Sequence, residues 1–150
     1  TSLSDDPGED VLLSEEIQLQ RLYLEIEAIR FPDRLFVRID LPATLETAAV
    51  PSLILQPIVE NAIKHGVSQT TKPVIVAIAA RSEGQNLVVS VTDTGPGISG
   101  ADDQDCHGIG LTNVRDRLTA RFGGEARLEC GNGPDGGYCV RLTLPLVLRG

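Results

Sequence analysis

The chain has 150 residues, enough for one domain that buries roughly two-thirds of the surface its unfolded form exposes, so neither a metal nor a disulfide is needed to hold it. Its net charge of −8 excludes nucleic acid and anionic membrane as main partners, because both reward Lys and Arg patches. Apolar residues make up 41% but aromatics only 3%, with no Trp or Met, so the core is aliphatic.

Residues 1–13, TSLSDDPGEDVLL, are polar with Pro and Gly and read as a disordered lead or linker. Ser14 then offers a helix start, with Glu15 and Glu16 suited to the positive end of the dipole. The helix runs to about Arg30, where Pro32 and Asp33 end it. Leu19, Leu22, Ile26 and Ile29 step by three and four, the spacing of a stripe that packs on a partner helix or sheet.

Residues 35–41 read as a strand, and Pro51 begins a second helix that continues to about Val67, closed by Gly66 and a polar turn. Pro57 inside that helix costs a backbone bond and suggests a kink that aims Glu60 and Asn61. Residues 74–80 and 87–92 are β-rich runs joined by Ser82-Glu83-Gly84-Gln85-Asn86, a hairpin of two central strands. A glycine-broken loop from Thr94 to Gly110 leads into a helix over 111–122, then Gly123-Gly124 and strands near 126–130 and 138–144. Strand and helix alternate and the late strands form hairpins, which predicts an α/β (α+β) fold with a mixed sheet covered on one face by helices.

Cys106, Cys130 and Cys139 are odd in number with no CxxC pair, so neither a disulfide framework nor a zinc site is expected, and a reducing cytosol is the simple reading. The longest apolar run, residues 74–80, is far short of the ~20 that span a bilayer, and no signal peptide opens the chain. Any membrane anchor of a longer parent is expected outside these residues.

Three constellations carry chemistry. On the second helix a 100° step puts Gln56, Glu60, Asn61, Lys64 and His65 on one side and Leu55, Ile58, Val59, Ala62 and Ile63 on the other. The polar side is either a solvated face or a set of ligands, and Asn61 offers a carbonyl oxygen that can bind a hard cation. Asp93-Thr94-Gly95-Pro96-Gly97 follows a strand. It is either a plain turn or a place where the backbone approaches a ligand and a carboxylate accepts a bond from an exocyclic amine. Gly108-Ile109-Gly110-Leu111 opens a helix, whose unpaired amides and dipole suit phosphate oxygens or merely give a flexible start. It lacks the Lys-Ser/Thr of a Walker loop, and its spacing does not match a dinucleotide fingerprint.

In order and setting, these segments resemble the GHKL ATPases. PSLILQPIVENAIKHGV (Pro51 to Val67) is similar to the asparagine box, VTDTGPGI (Val91 to Ile98) to the first glycine box and GIGLTNVRDRL (Gly108 to Leu118) to the second. LQPIVENAIKHG, GLTNVRDRL and the preceding LQRLYLEIEAIRF resemble the LytS/YehU-like sensor histidine kinases. The resemblance implies a Bergerat two-layer sandwich, with a largely antiparallel sheet of about five strands and about three helices on one face. It divides the chain into a lead (1–13), a connector helix (14–31) and an ATP-binding catalytic domain (32–150).

The resemblance also implies the ligands, ATP and Mg²⁺, and the roles of residues. Asn61 would ligate the Mg²⁺ that bridges the phosphates, with Glu60 as general base or outer magnesium partner and Lys64 and His65 near the phosphates. Asp93 would bind the adenine amine, with Gly95, Gly97 and Ile98 shaping its pocket. Gly108, Ile109, Gly110 and Leu111 would form the lid base and its amides, and Thr143 would back the adenine. The stretch from Ile98 to His107 carries Asp102, Asp103 and Asp105 with no Lys or Arg, leaving Arg115 and Arg117 as candidate phosphate contacts or as surface pairs with Asp116 or Glu125. His107 is incidental. The phosphoacceptor of such kinases lies in an N-P-H-F-L-F-N-like segment that is absent here, so the implied partners are a dimerisation and phosphoacceptor segment, a homodimeric parent and a response regulator. The implied place is the cytoplasm. A nucleotide-binding module without transfer, an ATPase of the gyrase or chaperone type, and a serine-directed relative remain alternatives.

Overall fold

The computed structural model of the chain describes residues 10–96, 106, 109–133 and 136–149. In chain order its elements are β1 (Asp10–Leu12), α1 (Leu13–Arg30), β2 (Leu35–Asp40), β3 (Ala49–Pro51), α2 (Gln56–His65), β4 (Val74–Glu83), β5 (Asn86–Asp93), α3 (Ile109–Phe122), β6 (Arg127–Asn132) and β7 (Tyr138–Pro145). The main sheet runs β2-β4-β5-β7-β6. Its β2–β4 pairing is parallel and the rest are antiparallel, which is the mixed sheet expected.

Period-two alternation sets the buried face. Val76, Ile78 and Ala80 of β4 lie opposite Asp93, Val91 and Val89 of β5, and Val91 and Val89 lie opposite Val140 and Leu142 of β7. This aliphatic surface is covered by Ile58, Val59, Ala62 and Ile63 of α2 and by Leu111, Val114 and Leu118 of α3, all within one buried cluster. Each Ile, Val and Leu among them contributes about 1.5–3 kcal/mol by leaving water, so the sheet fixes where both helices lie. The hairpin turns through Gly84, at φ +59°.

Several expectations change. Residues 10–12 form a strand, with Val11 opposite Val50 of β3, rather than a linker. Asp10 anchors it, its oxygens taking a forked ion pair from Arg121 of α3 at 2.5 and 2.6 Å. Helix α1 starts at Leu13, not at a Ser14 cap, and Glu15 accepts the Leu12 N–H at 2.9 Å. Pro51 ends β3 and α2 starts at Gln56, so Pro57 occupies the first turn, where a missing N–H costs nothing and supplies no cause for a kink.

The predicted stripe on α1 faces outward. Leu19, Leu22, Ile26 and Ile29 are exposed, while Leu13, Glu16, Ile17, Gln20, Leu24 and Glu27 are buried. Both sets have helical spacing, and the chain folds on the one that carries polar groups. Glu27 pairs with Arg30 at 2.8 Å. Gln20 is fully buried with neither end of its amide bonded within the protein.

Cys106 and Cys130 form a disulfide, with Cα atoms 5.2 Å apart, contrary to the expectation of free thiols. Spacing alone could not show it, because the contact exists only when the chain before α3 folds against β6. Cys139 is a free, half-buried thiol whose pKa is raised by burial.

Candidate active site

Helix α2 is the floor of the site. Lys64 and His65 complete its last turn, where cations suit the dipole, and the Gly66 N–H closes it on Ala62 at 2.9 Å. Burying Ile58, Val59, Ala62 and Ile63 turns Gln56, Glu60, Asn61, Lys64 and His65 outward, half-buried or exposed, as the helical step predicts. Gln56 Nε2 donates to Glu60 Oε2 at 3.1 Å.

At the C-terminal end of α2 stands Asp93, the last residue of β5, 6% exposed. Its Oδ1 accepts the Gly95 N–H at 2.9 Å and the Tyr138 N–H at 3.5 Å. Burial raises its pKa, opposed by those two amides and by the nearby His65. Both amide bonds end on one oxygen, so the other is suited to an exocyclic amine.

Glycines let the backbone close tightly around Asp93. A Cβ on Gly66 would stand 2.7 Å from Asp93 Cγ, and one on Gly95 would stand 2.7 Å from Gly66 Cα. Gly137 lies so close to the Asp93 carbonyl that no side chain fits there. Thr94 locks the turn to β4, its N–H donating to Ile75 O at 3.1 Å and its Oγ1 accepting the Ile75 N–H at 2.9 Å.

At the other end, Gly110 lies in the first turn of α3, where a Cβ would stand 3.4 Å from Pro57 Cβ. The unpaired amides of α3 therefore open beside the start of α2. From Gly66 to Pro57 is nine residues, about 14 Å of helix. Asn61 lies midway between the carboxylate end and the amide end. A base at one end and a polyphosphate at the other match that order.

Not every expected residue joins this line. Gly97, Ile98, His107 and Gly108 lie outside the described residues, as do Asp102, Asp103 and Asp105. Ile109 and Leu111 belong to the first turn of α3, and the Leu111 side chain is in the core at 2% exposure. Thr143 pairs with Val88, five residues and about 17 Å along β5 from Asp93, and it lies on the opposite face of the sheet. Arg117 donates to the Ser52 carbonyl at 2.8 Å, which commits it to the turn before α2. Arg115 is exposed and lines a cleft with Thr119, Arg127 and Leu128, on the β6 side of α3.

Residues the sequence did not single out help build the site. In the sequence Gly66 marks only a helix end and Tyr138 only the start of a strand, and Gly137 carries no expectation. The doubled glycine before a strand was the available signal, since such pairs mark close backbone approaches. Tyr23 of α1 is also near: burial, then the charges of Glu27 and Glu60, raise its pKa.

Among the described residues no group of three or more His, Cys, Asp or Glu side chains could hold a metal. Mg²⁺ asks for no such cage, since it keeps waters and takes one or two protein oxygens together with substrate phosphates. Adjacent Asn61 and Glu60 on the open side of α2 fit that pattern.

The family described as histidine kinase-, DNA gyrase B-, and HSP90-like ATPase matches residues 48–148. The chain belongs to this family. Within it, the chain is 40% identical over 139 residues to the sensor histidine kinase BtsS of Escherichia coli K12, covering 93% of this chain and 24% of that protein. It is 31% identical over 137 residues to the sensor histidine kinase YesM of Bacillus subtilis, covering 90% and 24%. The chain thus spans about a quarter of the length of the curated relatives it matches. Among solved structures, the catalytic domain of histidine kinase ThkA matches with a TM-score of 0.68 at 18% identity, covering 91% of this chain and 93% of that one. The Acinetobacter baumannii histidine kinase AdeS matches at 0.70 and 17%, covering 97% and 73%. The fold of this family member is that of histidine kinase catalytic domains.

Proposed function

We propose that this domain binds ATP with Mg²⁺ and passes the γ-phosphate to a histidine on a separate dimerisation and phosphoacceptor segment of a homodimeric, cytoplasmic-facing sensor kinase. The observation that carries this reading is the line along α2, with buried Asp93 at one end, Gly110 and the α3 amides at the other and Asn61 between them. Asp93 accepts the adenine amine and selects adenine over a base with a carbonyl there, a charge-assisted bond worth about 1.5–3 kcal/mol. Gly66, Gly95 and Gly137 let three backbone segments pack against Asp93 and hold its carboxylate in place for the base. Asn61 holds the metal with Glu60 behind it, and the metal's contribution is to neutralise phosphate charge and orient the chain of phosphates. The α3 amides bear on the outer phosphates, and Lys64, one turn from Asn61 toward Asp93, bears on the inner ones.

Transfer then needs positioning more than protein chemistry. The acceptor imidazole forms an N–P bond as the bond from the γ-phosphorus to the bridging oxygen breaks, ADP leaves, and exposed Glu60 takes the imidazole proton. The onward acceptor is a response regulator's aspartate. One structural neighbour, ThkA, was solved in complex with the response regulator protein TrrA, which supports that partner class.

The test uses ATP labelled on its γ-phosphate and a supplied histidine-bearing acceptor segment of the LytS type. Label should move to the segment, and the domain alone should stay unlabelled. Steady ADP release with no labelled segment would contradict the kinase reading and favour a hydrolase.

A further inference from the structure

Glu16 is an acid buried to 2% exposure on α1, yet it does not serve its own helix. Its Oε1 accepts the Leu53 N–H at 2.9 Å and its Oε2 the Leu55 N–H at 2.8 Å. These are the amides of the turn that delivers the chain into α2 at Gln56. Leu53 holds φ +62°, a left-handed conformation that costs a branched L-residue roughly 1–2 kcal/mol. A strained residue persists where its surroundings fix it, and here a carboxylate grips its amide. The same turn is gripped from the other side, for Arg117 of α3 donates to the Ser52 carbonyl at 2.8 Å. Its charge also offsets the burial that raises the Glu16 pKa.

We infer that Glu16 is a positioning residue for the nucleotide site. Through the Ser52–Leu55 turn it joins α1 to α2 and, with Arg117, sets where α2 begins relative to α3. That spacing is the phosphate end of the site, since Pro57 lies one residue into α2 and abuts Gly110 of α3. The adenine end is built separately, from Asp93, Gly66, Gly95 and Gly137. The connector helix therefore adjusts phosphate handling while leaving base binding alone. This inference rests on the ATP reading above.

The test compares ATP with adenosine by calorimetry on the whole chain. In Glu16→Gln, which keeps the shape and one acceptor, adenosine affinity should stay within about twofold while the advantage of ATP over adenosine falls about tenfold, the scale of a lost charged bond. Adding Leu53→Gly, which accepts the left-handed turn without the carboxylate's grip, should restore most of that advantage. An unchanged ratio, an equal loss of both ligands, or no rescue would overturn the inference. Amide exchange supplies a readout independent of nucleotide. The Leu55 amide should exchange at least about tenfold faster in both Glu16→Gln and Arg117→Met while the amides of β5 keep their protection. Failure of the wild type to bind any nucleotide would sink the ATP reading instead. In that case slowly exchanging Leu55 in either variant would still overturn the joint grip.

Discussion

The proposed role of Asp93 sets two demands against each other, to stay charged for a ligand and to stay buried in the fold. Burial wins in the free domain, which raises its pKa, and Glu16 behaves alike. Folded, both hold their protons above their ordinary values of 3.8 and 4.5. From those values up to the raised ones the native state binds more protons than the unfolded chain, so stability falls as pH rises. Asp10 runs the other way: its bond to Arg121 lowers its pKa, so its contribution is full above 3.8 and fades as pH falls toward the lowered value. Asp93→Asn keeps the oxygen that Gly95 and Tyr138 use and sheds the buried charge. Its urea midpoint at pH 7 should match or exceed the wild type, with a flatter fall through the carboxylate window, while adenosine affinity drops about 10- to 100-fold. Gly66→Ala should lose both. Its Cβ would meet Ala62 O at 2.6 Å and Asp93 Cγ at 2.7 Å, costing about 1–3 kcal/mol of stability in urea unfolding as well as base binding. Asn61 and Asp93 were legible because residue type and spacing put them on a helix face and a strand end. Thr143 and Arg117 were not, because strand register and the turn before α2 decided where they went.

Among the elements, α1 is the clearest case of ambiguity in a sequence. It carries two helical stripes, and the purely apolar one was the natural choice for the core. The fold uses the other, because Glu16 finds amides at Leu53 and Leu55 and Glu27 finds Arg30, so those polar groups enter at small cost. Ile26 and Ile29 are left 62% and 80% exposed. Replacing both with Gln should leave unfolding in urea within about 0.5 kcal/mol of the wild type. A large loss would mean that the stripe packs within this chain after all. The five strands of the main sheet, by contrast, were legible to within a few residues, because period-two alternation and the Gly84 turn are local signals, whereas β1 and β3, three residues each, are too short to show a period. The Cys106–Cys130 bond is not local, with a sequence separation of 24. Closing a loop of that size stabilises by about 3 kcal/mol in the chain-entropy account, so reductant should lower stability by that scale and leave Cys130→Ser unaffected. In a glutathione-rich cytosol the same pair is kept as thiols.

For the whole molecule, the sheet holds α2 and α3 side by side, with Asp93 at one end of α2 and Gly110 at the other, while Glu16 ties α1 to the turn before α2. No helix among the described residues is long and apolar enough to cross a membrane. The central claim is that ATP lies along α2, base at Asp93 and phosphates beyond Asn61. It is tested most directly by calorimetric titration of ATP, with and without Mg²⁺, into the wild type, Asp93→Asn and Asn61→Ala. Asp93→Asn should weaken binding equally in both conditions, whereas Asn61→Ala should remove only the gain that Mg²⁺ brings. Wild-type binding that ignores Mg²⁺, or variants that bind as the wild type does, would contradict it.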